Sequence, residues 1–302
     1  MVQAVVDVQG IRKKFGNLVA VDSVTFALEK GEIFGLLGPN GAGKTTIIRL
    51  ILDIFKPDLG EITVLGGAMT EAKLKNIGYM PEERGLYQDV QLEKCLVYLA
   101  TLKGLPKREA RSRINKYLDK FDLSAYARKP VKSLSRGMQQ KAQIIATLVH
   151  QPQLVIVDEP FSGLDPVNTK IVKDILRDLR EQGVAIIMST HQMHQVEELC
   201  DRILLIDNGR TLLSGEIASV RNKYAENAVF IRTSDNLPVL DAVTSVESNN
   251  GIHKLLLLPS IDPKMILYLL IQANINVEWF EIAVPSLDEI FIQAIQSQGE
   301  SE

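Results

Sequence analysis

Cysteine and long apolar runs are both scarce in this chain, and each scarcity closes off a class of protein. Its two cysteines, Cys95 and Cys200, stand far apart in 302 residues and lack the paired spacing of a zinc or redox motif. That rules out a disulfide scaffold and suits a reducing compartment, with both thiols expected to act as small buried hydrophobes. The most apolar short runs, at 255–258 and 265–271, fall well short of the ~18 residues a membrane-spanning helix needs. Attachment to a membrane is therefore expected to come through a partner. Residues 1–7 hold no basic stretch followed by an apolar run and a cleavage site, so no secretory signal is read there and a cytoplasmic location is expected. Neither sign of charge dominates, since 34 basic and 37 acidic residues leave a formal charge of −3. That balance supplies no electrostatic footprint for polyanions, and nucleic acid is not expected as a partner.

What is present is the composition of an ordinary globular protein, with 46% hydrophobic and 24% charged residues. The length exceeds what one hydrophobic core usually organises, so a large domain and a smaller one are expected. Strand-like runs at 5–8, 24–28 and 33–37 open the chain, the last leading straight into a glycine-rich loop. Between residues 92 and 149 the pattern turns helical: Ala110, Ile114, Tyr117, Leu118 and Phe121 share one face of a Lys/Arg-rich segment. Strand character returns at 154–157, 184–188 and 203–206, the alternation of a largely parallel α/β sheet. Beyond Gly215 a polar stretch, 221–227, precedes short strand-like runs at 229–232, 255–258 and 277–282. Asp262-Pro263 and Ser286-Leu287-Asp288-Glu289 read as helix starts, the second with the spacing of a capping box. A small α+β unit is expected there, followed by a polar tail at 296–302.

Gly38-Pro39-Asn40-Gly41-Ala42-Gly43-Lys44-Thr45 fits G-x-x-x-x-G-K-[ST], followed by Thr46. Glycines let successive backbone N–H groups curl around a phosphate, the next helix adds its positive end, and Lys44 supplies a mobile cation. A preceding strand and a following apolar helical face, Ile47, Ile48, Ile51 and Leu52, supply the context that an ordinary glycine turn lacks. A magnesium ion shared between phosphates needs a hydroxyl and an acid nearby. Thr45 offers the first, and Asp158, at the end of the apolar run Leu154-Val155-Ile156-Val157, offers the second. Glu159 comes next. Adjacent carboxylates at the mouth of a buried strand are costly without a cation close by. Glu159 is expected to take the proton of the attacking water as general base.

Leu134-Ser135-Arg136-Gly137-Met138-Gln139-Gln140-Lys141 lies upstream of that acidic pair and resembles the signature motif of ABC (ATP-binding cassette) ATPases. A serine and a glycine amide opening a helix make an anion site, yet the loop at Gly38 already serves this chain's own nucleotide. The resemblance implies two such domains packed head to tail, Ser135 and Gly137 of one copy closing on the γ-phosphate held by the other. It implies further roles in turn: Phe15 stacking on adenine, Asp165 in Ser162-Gly163-Leu164-Asp165 linking the two sites, and His191 contacting the γ-phosphate. At the loop leading into the helical insert the family usually has Gln, and Glu82 stands there instead. A carboxylate meets magnesium or water but cannot donate a hydrogen bond as an amide does. Arg136 and Met138 likewise replace the usual Gly and Gln of the signature.

The resemblance implies a fold and a job. The expected fold is an α/β phosphate-loop NTPase core with antiparallel β and helical subdomains, over 1–218 with the helical insert at about 88–150. A C-terminal accessory α+β domain occupies 219–302. The expected activity is hydrolysis of ATP with Mg2+, coupled to transport by a separate integral membrane subunit, the chain sitting peripherally on the inner face of the membrane with a second ATP-binding subunit. The C-terminal sequence Pro285-Ser286-Leu287-Asp288-Glu289-Ile290-Phe291 points towards exporter-type members linked with sodium, drug or antibiotic efflux, and residues 85–90 are the expected contact for the membrane partner. The rival is a soluble ABC ATPase acting as a clamp in translation or DNA repair. Such proteins carry paired cassettes, coiled coils or zinc inserts, which are not found here. Intact Lys44, Asp158 and Glu159 argue against a third reading, a non-hydrolysing interaction module.

Overall fold

The computed structural model describes residues 4–83 and 85–299. The chain divides after Ile217 into two compact units. In the first, β1 (Val6–Phe15) and β2 (Leu18–Leu28) form a long hairpin, longer than the sequence pattern suggests because its outer half is exposed and breaks the alternation. β3 (Ile33–Leu37) is buried at all five positions, as a strand covered on both faces must be. It runs through the glycine loop into α1 (Lys44–Ile51), whose Ile47, Ile48 and Ile51 are buried. β4 (Leu59–Val64) returns to pair with β1, completing the antiparallel sheet β2-β1-β4. The short α2 (Glu71–Leu74) then leads to β5 (Ile77–Met80).

Three helices follow before the next strand: α3 (Leu92–Leu102), α4 (Lys107–Lys120) and α5 (Arg136–Leu148). α4 buries Ala110, Ile114 and Leu118, the stripe read from the sequence, and Phe121 just beyond it is 1% exposed. β6 (Leu154–Asp158), α6 (Pro166–Glu181), β7 (Ala185–Thr190), α7 (Met193–Leu199), β8 (Arg202–Asp207) and β9 (Arg210–Glu216) complete the unit. The large sheet has the order β5-β6-β7-β3-β8-β9, parallel throughout except for the β8–β9 hairpin. Leu37 pairs with Thr190 and Asp158 with Ser189, so β3, β6 and β7 end at one edge. Ligands bind at such carboxyl edges in open α/β sheets. Phe26 of the small sheet stacks on Phe34 of the large one, centroids 4.9 Å apart, within one continuous apolar core. Cys95 and Cys200 are both free, the first buried and the second only partly so.

α8 (Ile217–Tyr224) begins at the division, so residues 221–224 of the polar stretch expected at 221–227 are helical. β10 (Ala228–Arg232), β11 (Val243–Asn249), β12 (Ile252–Leu257), α9 (Pro263–Gln272), β13 (Trp279–Ile282) and α10 (Leu287–Gly299) follow. The strands form an antiparallel sheet, β11-β12-β10-β13, against which α9 packs Ile266 and Leu270. Asp262 caps α9 with Pro263 in its first turn. Ser286 and Glu289 exchange backbone-to-side-chain bonds at 2.8 and 3.2 Å, the reciprocal capping box read from the sequence. β11 was not foreseen. It is an edge strand, six of its seven residues are exposed, and it therefore carries no apolar alternation.

Candidate nucleotide site

The glycine loop bends where no side chain fits. A Cβ on Gly43 (φ 110°) would meet the Ala20 carbonyl at 2.5 Å, and one on Gly38 (φ 149°) would meet the Ile206 carbonyl at 2.2 Å. The first helical turn of α1 can therefore lie open to a ligand. Lys44 folds back over the loop, its Nζ donating to the carbonyls of Gly38 at 2.7 Å and Pro39 at 3.0 Å. Burial holds its pKa below the usual lysine value, against the opposing pull of Glu159, Asp158 and Glu82.

Asp158 ends β6 in a web of hydroxyls: Thr45 Oγ1 donates to its Oδ2 at 3.1 Å, and Ser189 donates to Oδ1. Glu159 follows in the left-handed backbone region (φ 51°), uncommon for a side chain of this size. Its carboxylate accepts from Thr190 Oγ1 at 3.0 Å, the His191 amide at 3.0 Å and His191 Nδ1 at 2.7 Å. Both carboxylates are almost wholly buried. Buried acids carry such a density of donors because each unpaired lone pair would be costly.

A cleft of about 490 Å³ opens over these groups, within the range of small-molecule sites. Asn40, Gly41, Gly43, Lys44, Thr45, Thr46, Glu82, Asp158 and Glu159 line its polar part, and Phe15, Leu18, Val19 and Ala20 its apolar end. Phe15 is 41% exposed and rests edge-on against Phe55 at 5.2 Å. Gly38, Pro39 and Ala42 do not line the cleft: the first two supply carbonyls to Lys44, and the Ala42 carbonyl accepts from Gly209 at 2.9 Å. Leu18, Val19, Ala20, Asn208 and Gly209 were not singled out in the sequence. The last two form the left-handed turn of the β8–β9 hairpin, and an Asn-Gly pair between two apolar runs was a readable turn signal.

Ser135, Gly137, Asp165 and His191 do not line the cleft. Ser135 is exposed and caps α5, accepting from the Met138 amide at 3.3 Å. Gly137 sits close to the Gly163 carbonyl, 3.2 Å from the place a Cβ would take. Asp165 caps α6, and its hydrogen bonds from Asn168 hold its carboxyl below the usual range. His191 reaches the cleft only through Glu159. Arg84, beside Glu82 and Glu83, lies outside the described residues.

A buried strand feeding a glycine loop and helix, with a carboxylate pair two strands away, defines a phosphate-loop nucleoside triphosphatase. The comparisons narrow this. Residues 21–162 match the family model for the ABC transporter, and residues 215–295 match that for the DrrA1-3-like ATP-binding protein C-terminal domain. The chain is 37% identical to the uncharacterised ABC transporter ATP-binding protein YhaQ of Bacillus subtilis, over 94% of this chain and 96% of the relative. It is 38% identical to the Nod factor export ATP-binding protein I of a Rhizobium species, over 71% and 72%. A solved ATP-binding subunit of an ABC transporter superposes with a TM-score of 0.69 at 30% identity, covering 73% of this chain and 93% of that one. The chain belongs to the ATP-binding proteins of ABC transporters, a family that binds and hydrolyses ATP. The matches favour this class over a soluble clamp.

Proposed function

We propose that the chain drives export through a separate integral membrane subunit, two ATP-binding subunits closing head to tail on ATP. One observation supports this most: the cleft has an aromatic end and a phosphate-handling end, while Ser135 and Gly137, an exposed helix start suited to anions, stand outside it. Adenine takes the face of Phe15, and the triphosphate lies in the loop over α1. Lys44 leaves the Gly38 and Pro39 carbonyls for the phosphates. Glu159, held by Thr190 and His191, keeps lone pairs free to accept the proton of the attacking water. Ser135 and Gly137 of the other copy close over the γ-phosphate, with Asp165 near the seam.

Among the described residues no group of three acidic, His or Cys side chains could hold a metal alone. Thr45 and Asp158, hard oxygen donors already 3.1 Å apart, nevertheless suit magnesium, which fills its remaining positions with water and phosphate oxygens. When bound, the ion would offset charge building up on the transferred phosphoryl group. Glu82 adds a third carboxylate to the cleft, where it accepts from water or approaches the ion.

Export as the direction draws on the Rhizobium relative, a Nod factor export ATP-binding protein. No helix among the described residues is long and apolar enough to cross a membrane, so a span would come from the partner, and a peripheral place on the inner membrane face follows from that assembly. The test is affinity purification of the full chain with the product of an adjacent multi-span gene, followed by ATPase measurement in vesicles with candidate substrates. Co-purification and substrate-stimulated turnover are expected. An ATPase that captures no membrane protein from solubilised membranes would overturn the reading.

A further inference from the structure

The polar side chains of the cleft fall into two groups, with one left over. Asn40, Lys44, Thr45 and Thr46 come from the glycine loop and α1, and Glu82, Asp158 and Glu159 from the segments that end β5 and β6. Among the described residues, Asn208 is the one polar side chain of the wall that belongs to neither. It stands in the turn between β8 and β9.

That turn is pinned from two sides. Gly209 donates its amide to the Ala42 carbonyl at 2.9 Å, and its own carbonyl accepts from the Asp22 amide at 2.8 Å. Arg210 reaches the Asp22 carboxylate at 3.0 and 3.1 Å. A Cβ on Gly209 would meet the Ala20 carbonyl at 2.8 Å, the same carbonyl that lies 2.5 Å from the place of a Cβ on Gly43. The turn is therefore packed against β2 and the phosphate loop at once, and Asn208 is fixed where the two meet.

β2 gives the cleft a scale. Leu18 pairs with Phe15 at the apolar end, while Ala20, two residues on, lies against Gly43 of the loop. Two strand residues advance about 6.6 Å. A base on Phe15 and phosphates in the loop leave the sugar to bridge that step, beside Ala20 and the turn that carries Asn208.

The amide of Asn208 is already oriented. Its Nδ2 donates to the Asp207 carboxylate at 3.0 Å. A carboxylate only accepts, so the nitrogen is the atom turned towards Asp207, and Oδ1 is left as an acceptor with no hydrogen bond among the described residues. The backbone is left-handed (φ 47°), a region that Asn enters more readily than most residues.

We infer that Asn208 Oδ1 accepts a hydrogen bond from a ribose hydroxyl of the bound nucleotide, and so gives the cleft a preference for ribonucleotides over their deoxy counterparts. The inference rests on the reading that ATP lies in this cleft with its base on Phe15. Because Asn208 is exposed, the bond replaces one to water and contributes a modest factor, roughly two- to tenfold in affinity.

The test measures ATP, 2′-deoxy-ATP, 3′-deoxy-ATP and GTP by competition against a fluorescent ATP analogue. It uses the full chain carrying Glu159→Gln, to stop turnover, with and without Asn208→Gly, which keeps the left-handed turn and removes the side chain. With Asn208 present, ATP is expected to bind roughly two- to tenfold tighter than one of the deoxy nucleotides, which identifies the hydroxyl. In Asn208→Gly the preference should vanish because ATP falls to the level of that deoxy nucleotide, whose own affinity is unchanged. Asn208→Ala should do the same if Asn208→Gly proves insoluble, since the ratio between two nucleotides cancels a general loss shared by both. A sugar preference that survives in the folded variants overturns the inference, as does its absence when Asn208 is present. So does a loss shared equally by all four nucleotides, or a changed ratio of ATP to GTP with the sugar preference intact, which would make Asn208 a reader of the base. Failure to bind any nucleotide overturns the nucleotide reading instead.

Discussion

His191 grips one oxygen of Glu159 twice, through its backbone amide at 3.0 Å and its ring Nδ1 at 2.7 Å. Thr190 holds the other oxygen at 3.0 Å. The carboxylate is thereby fixed in direction before any nucleotide arrives, and a base oriented by a third group is a recurrent arrangement at reactive sites. Glu159→Gln should lower phosphate release by at least ~100-fold, the usual contribution of a general base, while the dissociation constant for ATP changes little. His191→Ala should also lower turnover with near-normal ATP affinity, because it removes the ring donor that helps aim the Glu159 carboxylate without touching the loop at Gly38. Full turnover in Glu159→Gln would remove Glu159 from the mechanism.

Among the described residues, Phe15 is the one aromatic ring at the apolar end of the cleft. Stacking a base on an aromatic face contributes ~1–3 kcal/mol by alanine substitution, or roughly 5- to 150-fold in affinity. Phe15→Ala should weaken ATP by that factor and leave inorganic tripolyphosphate unaffected, as measured by competition against a fluorescent ATP analogue. Equal losses for both ligands would mean that the substitution disturbs the loop and that Phe15 does not meet the base.

Much of this site was legible because its chemistry is written in contiguous residues. The loop from Gly38 to Thr45 and the Asp158-Glu159 pair each sit at a strand end, and the apolar run before them places the polar groups at one sheet edge. What stayed hidden is assembled from segments distant in the chain. Ala20 walls the cleft because Gly43 and Gly209 both press against its carbonyl, a close approach that no local pattern encodes. The buried polar face of α5 was illegible for a different reason: Gln140 and Gln143 look like a solvated helix face until the Pro160 and Pro81 carbonyls that accept from them are in place. In the second unit the capped helices were readable from Asp262 and Ser286, whereas β11 presents mostly exposed residues and gives no periodic signal.

The exposed position of Ser135, outside its own chain's cleft, makes a head-to-tail pair testable by mixing. Lys44→Ala removes the cation of one cleft, and Ser135→Arg blocks the helix start offered to the other copy. Each variant alone should be inactive. In an equimolar mixture of freely exchanging dimers, half are mixed, and each mixed dimer has one intact composite site, so about a quarter of normal turnover should return. No recovery at any mixing ratio, or full activity of Ser135→Arg alone, would exclude a site shared between copies.

His150 supplies a signature in stability against pH. Burial, with a smaller effect of the nearby Lys103 cation, lowers its pKa from 6.5 to about 4. The ring is thus neutral in the folded chain at pH 5, with Nε2–H the donor towards the Ile77 carbonyl, while in the unfolded chain it is largely protonated. The folded state binds the proton less well, so the stability that His150 contributes is fully present above pH 6.5 and is lost as pH falls towards 4. At 1.36 kcal/mol per pKa unit the loss amounts to roughly 3 kcal/mol over that window. His150→Gln keeps an N–H donor for the Ile77 carbonyl and removes the titration. Urea unfolding at pH 7, 5.5 and 4.5 should show the unsubstituted chain losing more stability than His150→Gln at each acid step, the carboxylates being common to both. Parallel curves would assign the acid sensitivity to those carboxylates and leave His150 with a purely structural bond to β5.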